Sequence, residues 1–174
     1  KKMKGIILAG GYGLRLYPLT LSVSKQLLPI YDKPLIYYPL SILMLAKIKD
    51  IMIIVDPGSK KIYEKLLGNG DKFGIRIKYF SQDKPNGLPE AFLLTQNHIK
   101  NSNVCLILGD NIFYGQGLRD SLLIGKKNKI GATIYAYQIK DPQNFGVIDF
   151  DGKNRPKNIV EKPKKPKSNY AVTG

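Results

Sequence analysis

Short apolar runs alternate along the chain with stretches of helical period. Residues 4–9 pass from Lys4 through Ile6, Ile7 and Leu8 to Ala9, continuous rather than alternating, as in a strand buried on both faces. Residues 51–55, 75–80 and 104–108 repeat that pattern. Residues 132–137 and 147–150 read as two later strands, with a short one at 158–160. Helices are predicted between them. One spans 34–48, with Pro34 at its first turn and Leu40, Leu43 and Ala46 at helical spacing. The others span 59–67, 89–99 and 118–126. Residues 162–167 carry two prolines among lysines and must form a loop. Strands alternating with helices imply an α/β fold with a mostly parallel sheet. No repeat or low-complexity stretch divides the chain, so it reads as one folding unit, residues 1–174.

Length supports that reading. A chain of 174 residues buries roughly 70% of its unfolded surface without disulfide staples. Cys105 is the single cysteine and His98 the single histidine, which excludes an intrachain disulfide, an all-cysteine zinc cluster and a His-rich metal site. No apolar run reaches the ~20 residues of a membrane span, and the run at 6–9 is too short for a signal-peptide core. A cytoplasmic protein without membrane attachment is expected. The 28 Lys and Arg outnumber the 13 Asp and Glu, for a net charge of +15. That excess favours anionic partners, although the lysines are scattered apart from 126–129 and 162–167. A nucleic-acid binder is disfavoured, because the notable residues suggest a pocket rather than a stripe of aromatics and lysines.

The chemistry begins where the first strand ends. Gly10, Gly11 and Gly13, followed by Arg15, form a turn whose backbone N–H groups can cradle an anion. Neither familiar phosphate loop fits. No Gly-Lys-Ser/Thr follows, and Leu16 stands where the dinucleotide fingerprint needs its third glycine. Pro18 and Pro29 also break the segment that would have to be helix. The irregular stretch beyond contributes Lys25, and its point charge together with the planar fork of Arg15 suits a triphosphate. The fourth buried strand ends at Leu108, Gly109, Asp110 and Asn111. If the strand order is 3-2-1-4, Asp110 faces the glycine loop across a crevice at the carboxyl ends of neighbouring strands. There it suits a Mg²⁺ ion bridging phosphate oxygens, or else it is a turn residue.

The run from Leu8 to Thr20, the run Ser24 to Pro34, and the later runs 108–115, 145–147, 160–163 and 168–174 resemble, in order, the sugar nucleotidyltransferases. Within them the likeness is to the glucose-1-phosphate thymidylyltransferase branch. It covers essentially the whole chain. The resemblance implies a Rossmann-like three-layer sandwich with a mostly parallel mixed sheet, of the nucleotide-diphospho-sugar transferase type. It also implies transfer of a thymidylyl group from dTTP to glucose 1-phosphate, with Mg²⁺ as cofactor. Asp110 would be one of two metal-binding aspartates, the second lying beyond residue 174. Arg15, Lys25, Asp110 and Lys162 would be catalytic, with Lys162 on the phosphate of the incoming sugar phosphate. Leu8, Gly10, Gly11 and Gly13 would line the nucleotide. Gln82 and Gly87 match the base-reading stretch, Glu161 the residue that holds sugar hydroxyls, and Asn111, Gly146 and Val172 positions around the sugar. A homo-oligomer is implied for the full-length protein.

On residue type alone, Glu161 and Lys162 belong to a solvated Lys-rich loop, and Gln82 does not disclose which base it pairs with. Three positions depart from the family pattern: Leu14 replaces a usual Thr, Tyr12 a smaller residue, and Phe145 a usual Tyr. Cys105 reads as an apolar filler, His98 as a residue at a helix end, and 149–152 as a turn. Two alternatives stand beside the main reading: a truncated chain that binds nucleotide without turnover, and a related enzyme using UTP.

Overall fold

The computed structural model describes residues 2–11, 13–84, 86–128 and 130–174. Tyr12, one of the departures noted above, lies outside the described residues, as do Pro85 in the base-reading stretch and Lys129 in the first lysine cluster. The described chain forms two compact units, Lys1–Lys127 and Asn128–Gly174, where the periodicity reads as one.

Four strands of the first unit, β1 (Met3–Leu8), β4 (Asp50–Val55), β5 (Arg76–Ser81) and β6 (Asn103–Leu108), form one sheet in the order β5-β4-β1-β6. All three pairings are parallel. This is the expected 3-2-1-4 order. Ile6, Ile7, Ile53, Ile54 and Val55 are wholly buried, as continuous apolar strands require. Between β1 and β4 lies a small hairpin, β2 (Pro29–Ile30) with β3 (Lys33–Pro34).

Helices cover both faces. Helix α3 (Leu88–Ile99) lies over one face, where its Ala91 joins Ile6, Met52 and Ile54 in a core completed by Leu8, Phe80, Leu94 and Leu106. Helix α1 (Tyr37–Leu45) lies over the other, against Gly5. Helix α2 (Lys60–Leu67) is held to β5 through the Tyr79 hydroxyl, which donates to the Gly68 carbonyl at 2.6 Å. Helix α4 (Leu118–Lys127) lends Lys126, whose ammonium donates to the Ala46 and Lys47 carbonyls at 2.9 Å. A cation on the free carbonyls at the end of α1 is favourable.

Helix α1 is shorter than the predicted 34–48 at both ends. The hairpin takes Pro34, and Lys47 adopts a left-handed φ of 55° that closes the last turn. The other helices keep their predicted places within a residue or so.

The second unit is a separate antiparallel sheet, β7 (Ala136–Gln138), β8 (Gly146–Phe150), β9 (Pro156–Glu161) and β10 (Tyr170–Val172), in the order β7-β10-β8-β9. The predicted strand at 132–137 shrinks to β7, because β10 offers it only three residues to pair with. The strand at 158–160 is longer than predicted, since it pairs along all of β8. The turn at 149–152 is present: the Asp151 carboxylate accepts the Lys153 and Arg155 backbone N–H groups at 2.8 and 2.9 Å. Those bonds hold its carboxyl below the usual Asp range.

Gly5 decides how closely α1 approaches the sheet. A Cβ there would lie 2.6 Å from Leu43 Cδ1 and 3.4 Å from Ile48 Cγ2, both in the core. Gly5→Val should therefore overpack this layer and cost about 1–3 kcal/mol, read as a fall in thermal midpoint of roughly 2–4 °C per kcal/mol. An unchanged midpoint in calorimetry would show that the layer has room to spare.

Candidate functional site

The site of the first unit begins with two neighbouring strands that end together. Leu8 of β1 is in register with Leu108 of β6. Just beyond, the Gly109 N–H donates to the Leu8 carbonyl at 2.8 Å. A Cβ on Gly109 would sit 3.0 Å from the Leu8 carbonyl oxygen and from Ala9 Cα and Cβ. A side chain there would crowd backbone that has little room to give, and its absence lets the two strand ends touch. Asp110 and Asn111 follow directly, beside the loop that leaves β1. On the other side of β1, the Ala9 N–H donates to the Ile54 carbonyl of β4 at 2.7 Å.

In that loop Gly11 has φ 120° and Gly13 φ 59°, left-handed conformations that favour glycine. A Cβ on Gly13 would meet Thr20 Cγ2 at 2.8 Å and Lys25 Cβ at 3.3 Å, so the loop and the Lys25 segment pack against each other. The Thr20 hydroxyl donates to the Gly13 carbonyl at 3.1 Å. Lys25 then reaches across, and its ammonium lies 2.7 Å from Asp110 Oδ2. Both side chains are about a third exposed (33% and 31%), so the pair opens to solvent.

The Lys25 segment is anchored from below. The Ser24 hydroxyl donates to Gln26 Oε1 at 2.8 Å and shares a 3.0 Å hydrogen bond with the Tyr63 hydroxyl. Gln26 is 4% exposed and Tyr63 wholly buried. Burial pushes the Tyr63 phenol far up, so it stays neutral and available as a donor. Its helix, α2, thereby ties the segment to the sheet.

These elements border a cleft of about 360 Å³, lined among others by Gly11, Thr20, Lys25, Asp56, Ser59 and Gln82. Backbone N–H groups, hydroxyls, an ammonium and a carboxylate on its rim suit a phosphorylated ligand. Gln82, 6% exposed, donates its side-chain amide to Glu90 of α3, which also accepts from Asn86 Nδ2 at 3.2 Å. The Gln82 amide oxygen lies on the side of the glycine loop, 3.1 Å from where a Cβ on Gly10 would be. Gly87 immediately precedes α3 with φ 95°.

The structure thus gathers Leu8, Gly10, Gly11, Gly13, Lys25, Gln82 and Asp110 at the carboxyl ends of β1, β5 and β6. It does not bring Arg15 to Asp110. Arg15 sits in a 3₁₀ turn at Leu14–Leu16, exposed, with no hydrogen bond or ion pair to any described residue. Lys25 holds that place instead. Thr20, Asp56, Ser59 and Glu90 were not singled out from the sequence. Asp56 and Ser59 had a usable signal, since they follow the carboxyl end of a buried strand next to β1.

The second unit gathers the remaining residues by its own pairing. Gly146 is in register with Glu161, and a Cβ on it would lie 3.3 Å from Glu161 Oε2 and 3.9 Å from Val172 Cβ. Lys162 follows with a left-handed φ of 43° and donates its backbone N–H to the Phe145 carbonyl at 3.0 Å. Its ammonium lies 3.4 Å from Glu161 Oε1. A non-glycine residue held there at positive φ costs about 1 kcal/mol or more and invites a functional reading.

Among the described residues no group of three or more His, Cys, Asp or Glu is placed to hold a metal ion. Asp110 alone suits a cation that takes its other ligands from phosphate and water, as Mg²⁺ does. No helix of the described residues is long and apolar enough to cross a membrane.

Comparison with known proteins agrees with this geometry. The glucose-1-phosphate thymidylyltransferase of Neisseria gonorrhoeae is 56% identical over 172 residues, 99% of this chain and 60% of that protein. That of Xanthomonas campestris pv. campestris is 53% identical, over 98% of this chain and 58% of its own length. This chain therefore spans about 60% of the length of these curated relatives. A Bacillus anthracis structure, designated a candidate glucose-1-phosphate thymidylyltransferase and solved with sucrose, superposes with a TM-score of 0.92 at 41% identity, covering 99% of this chain and 69% of that one. A UDP-glucose pyrophosphorylase with bound UDP-glucose superposes at 0.78 with 24% identity, covering 100% and 75%, a likeness of fold. The profile of the nucleotidyl transferase family matches residues 4–174, across both units. With the crevice, the glycine loop and the relatives in agreement, the chain belongs to the nucleotidyl transferase family.

Proposed function

We propose that residues 1–174 form the nucleotidyltransferase catalytic domain of a glucose-1-phosphate thymidylyltransferase, which converts dTTP and α-D-glucose 1-phosphate into dTDP-glucose and pyrophosphate. The observation that carries the proposal is the ion pair of Lys25 with Asp110 at 2.7 Å, made where the neighbouring strands β1 and β6 end and the glycine loop begins. A cytoplasmic location, and a homo-oligomer for the longer protein, go with this reading.

The reaction is an in-line exchange at phosphorus. A phosphate oxygen of the sugar phosphate attacks the α-phosphorus of dTTP, and the bond to pyrophosphate breaks, carrying the electron pair away. Little covalent work falls to the protein, so positioning and neutralisation of charge supply the catalysis. The N–H groups around Gly10, Gly11 and Gly13 cradle the triphosphate. Arg15, with no partner of its own among the described residues, folds over the β- and γ-phosphates as a planar fork. Lys25 leaves Asp110 for the phosphates at small cost, because an ion pair this open to solvent is worth about 0–1 kcal/mol.

With Lys25 drawn away, Asp110 would be the residue that holds a cation. Mg²⁺ bound there would offset negative charge on the α-phosphate. Glu161 accepts hydrogen bonds from sugar hydroxyls beside the space left open at Gly146, with Val172 along its edge. Asn111, just past the carboxyl end of β6, takes its role at the sugar from the family resemblance alone. Lys162, held by its backbone bond to Phe145, binds the sugar phosphate and offsets the repulsion between two anionic reactants.

Two substitutions test these roles. Arg15→Ala should lower the rate of pyrophosphate release by roughly tenfold or more while the circular dichroism spectrum stays that of the parent; turnover at the parent rate would remove Arg15 from the chemistry. Lys162→Gly keeps the left-handed backbone and deletes the whole side chain with its amine. It should raise the KM for glucose 1-phosphate about tenfold and leave the dTTP affinity in calorimetric titration unchanged. Parent kinetics in this variant would refute the role of Lys162.

A further inference from the structure

Gln82 is the buried amide of the cleft, and its two ends face different ways. Its nitrogen donates to a Glu90 carboxylate oxygen. Its oxygen lies toward Gly10 and has no hydrogen-bond donor among the described residues. An amide alone is ambiguous, since a half-turn about its last bond exchanges donor and acceptor at nearly equal volume. A carboxylate removes the ambiguity, because it can only accept. Glu90 is itself fixed, sitting in the first turn of α3 where negative charge is favoured and receiving Asn86 Nδ2 on its other oxygen. The hydrogen bond from Gln82, followed by that from Asn86, keeps its carboxyl below the usual Glu range, so it stays an acceptor at neutral pH.

We infer that Glu90 is a positioning residue that locks the Gln82 amide with its oxygen toward the cleft, and so makes the site select a base that presents a ring N–H. The inference rests on the nucleotide site proposed above and deepens it. Thymine and uracil carry such an N–H between two carbonyl groups, and it donates to the Gln82 oxygen. Cytosine presents a bare ring nitrogen at the same place, where two lone pairs would face each other. Turning the amide to suit cytosine would break the Gln82–Glu90 bond and set the amide oxygen against the carboxylate. Discrimination of this kind exceeds what pocket shape alone achieves, because the wrong base leaves polar groups unpaired in a buried position. The carboxylate never touches the nucleotide; it acts through Gln82.

The test is calorimetric titration of the intact protein with dTTP and with dCTP, in the parent, Glu90→Ala and Glu90→Gln. The parent should prefer dTTP. In Glu90→Ala the released amide can turn, so the dTTP-to-dCTP affinity ratio should fall by about tenfold or more, with dCTP binding gained as well as dTTP binding lost. Glu90→Gln keeps the size but brings an amide that can itself turn, so the preference should fall there too, which a role in packing alone would not produce. A parent-like ratio in a folded Glu90→Ala, or equal loss of both affinities there, would overturn the positioning role while leaving the nucleotide site standing. A parent protein that binds neither nucleotide would overturn both.

Discussion

The contact between the ends of β1 and β6 is the constraint from which the site follows. Gly109 lies so close to Ala9 and the Leu8 carbonyl that a single Cβ would press on backbone at 3.0 Å. That approach places Asp110 beside the loop leaving β1. Neighbouring strands whose connections run in opposite directions are where an open parallel sheet ordinarily binds its ligand. A side chain at 109 would part the strands and separate the carboxylate from the loop.

Around that contact the structure uses small parts to hold a flexible charge in place. Gly13 offers the bare surface against which Thr20 and the Lys25 stem pack. Ser24, Gln26 and the buried Tyr63 hydroxyl tie the same segment to α2. Lys25 therefore starts from a defined point although its side chain is long and partly solvated. Arg15, by contrast, is exposed and has no partner among the described residues. The anchored cation is paired with the carboxylate, and Arg15 is not. The second unit repeats the device by other means, with Lys162 pinned through its backbone rather than its side chain.

Much of this was legible in the residues. The four buried strands announced themselves as continuous apolar runs, and their order agreed with expectation because connections through helices leave few alternatives. The glycine loop, Lys25 and Asp110 could be named because their chemistry is distinctive and their positions follow strand ends. What could not be read were features decided by pairing. β10 is three residues long, too short to show a period, and it sets the length of β7. Pro34 fits a helix start as well as a hairpin, and only contact with Pro29 decides for the hairpin. The division into two units was equally hidden, because an apolar run does not say which sheet it will join. Glu90 escaped notice for a related reason: an acidic residue in a first helical turn looks ordinary until Gln82 is found bonded to it.

In the proposed function, a nucleoside triphosphate binds where β1 and β6 end. The most direct measurement is a titration of ¹⁵N-labelled protein with dTTP, followed by the backbone amide resonances. Saturable shifts are expected, concentrated at Gly10, Gly11, Gly13, Lys25, Gln82 and Asp110, with the rest of the spectrum nearly still. Shifts confined to other surfaces, or a spectrum unmoved at millimolar dTTP, would contradict it.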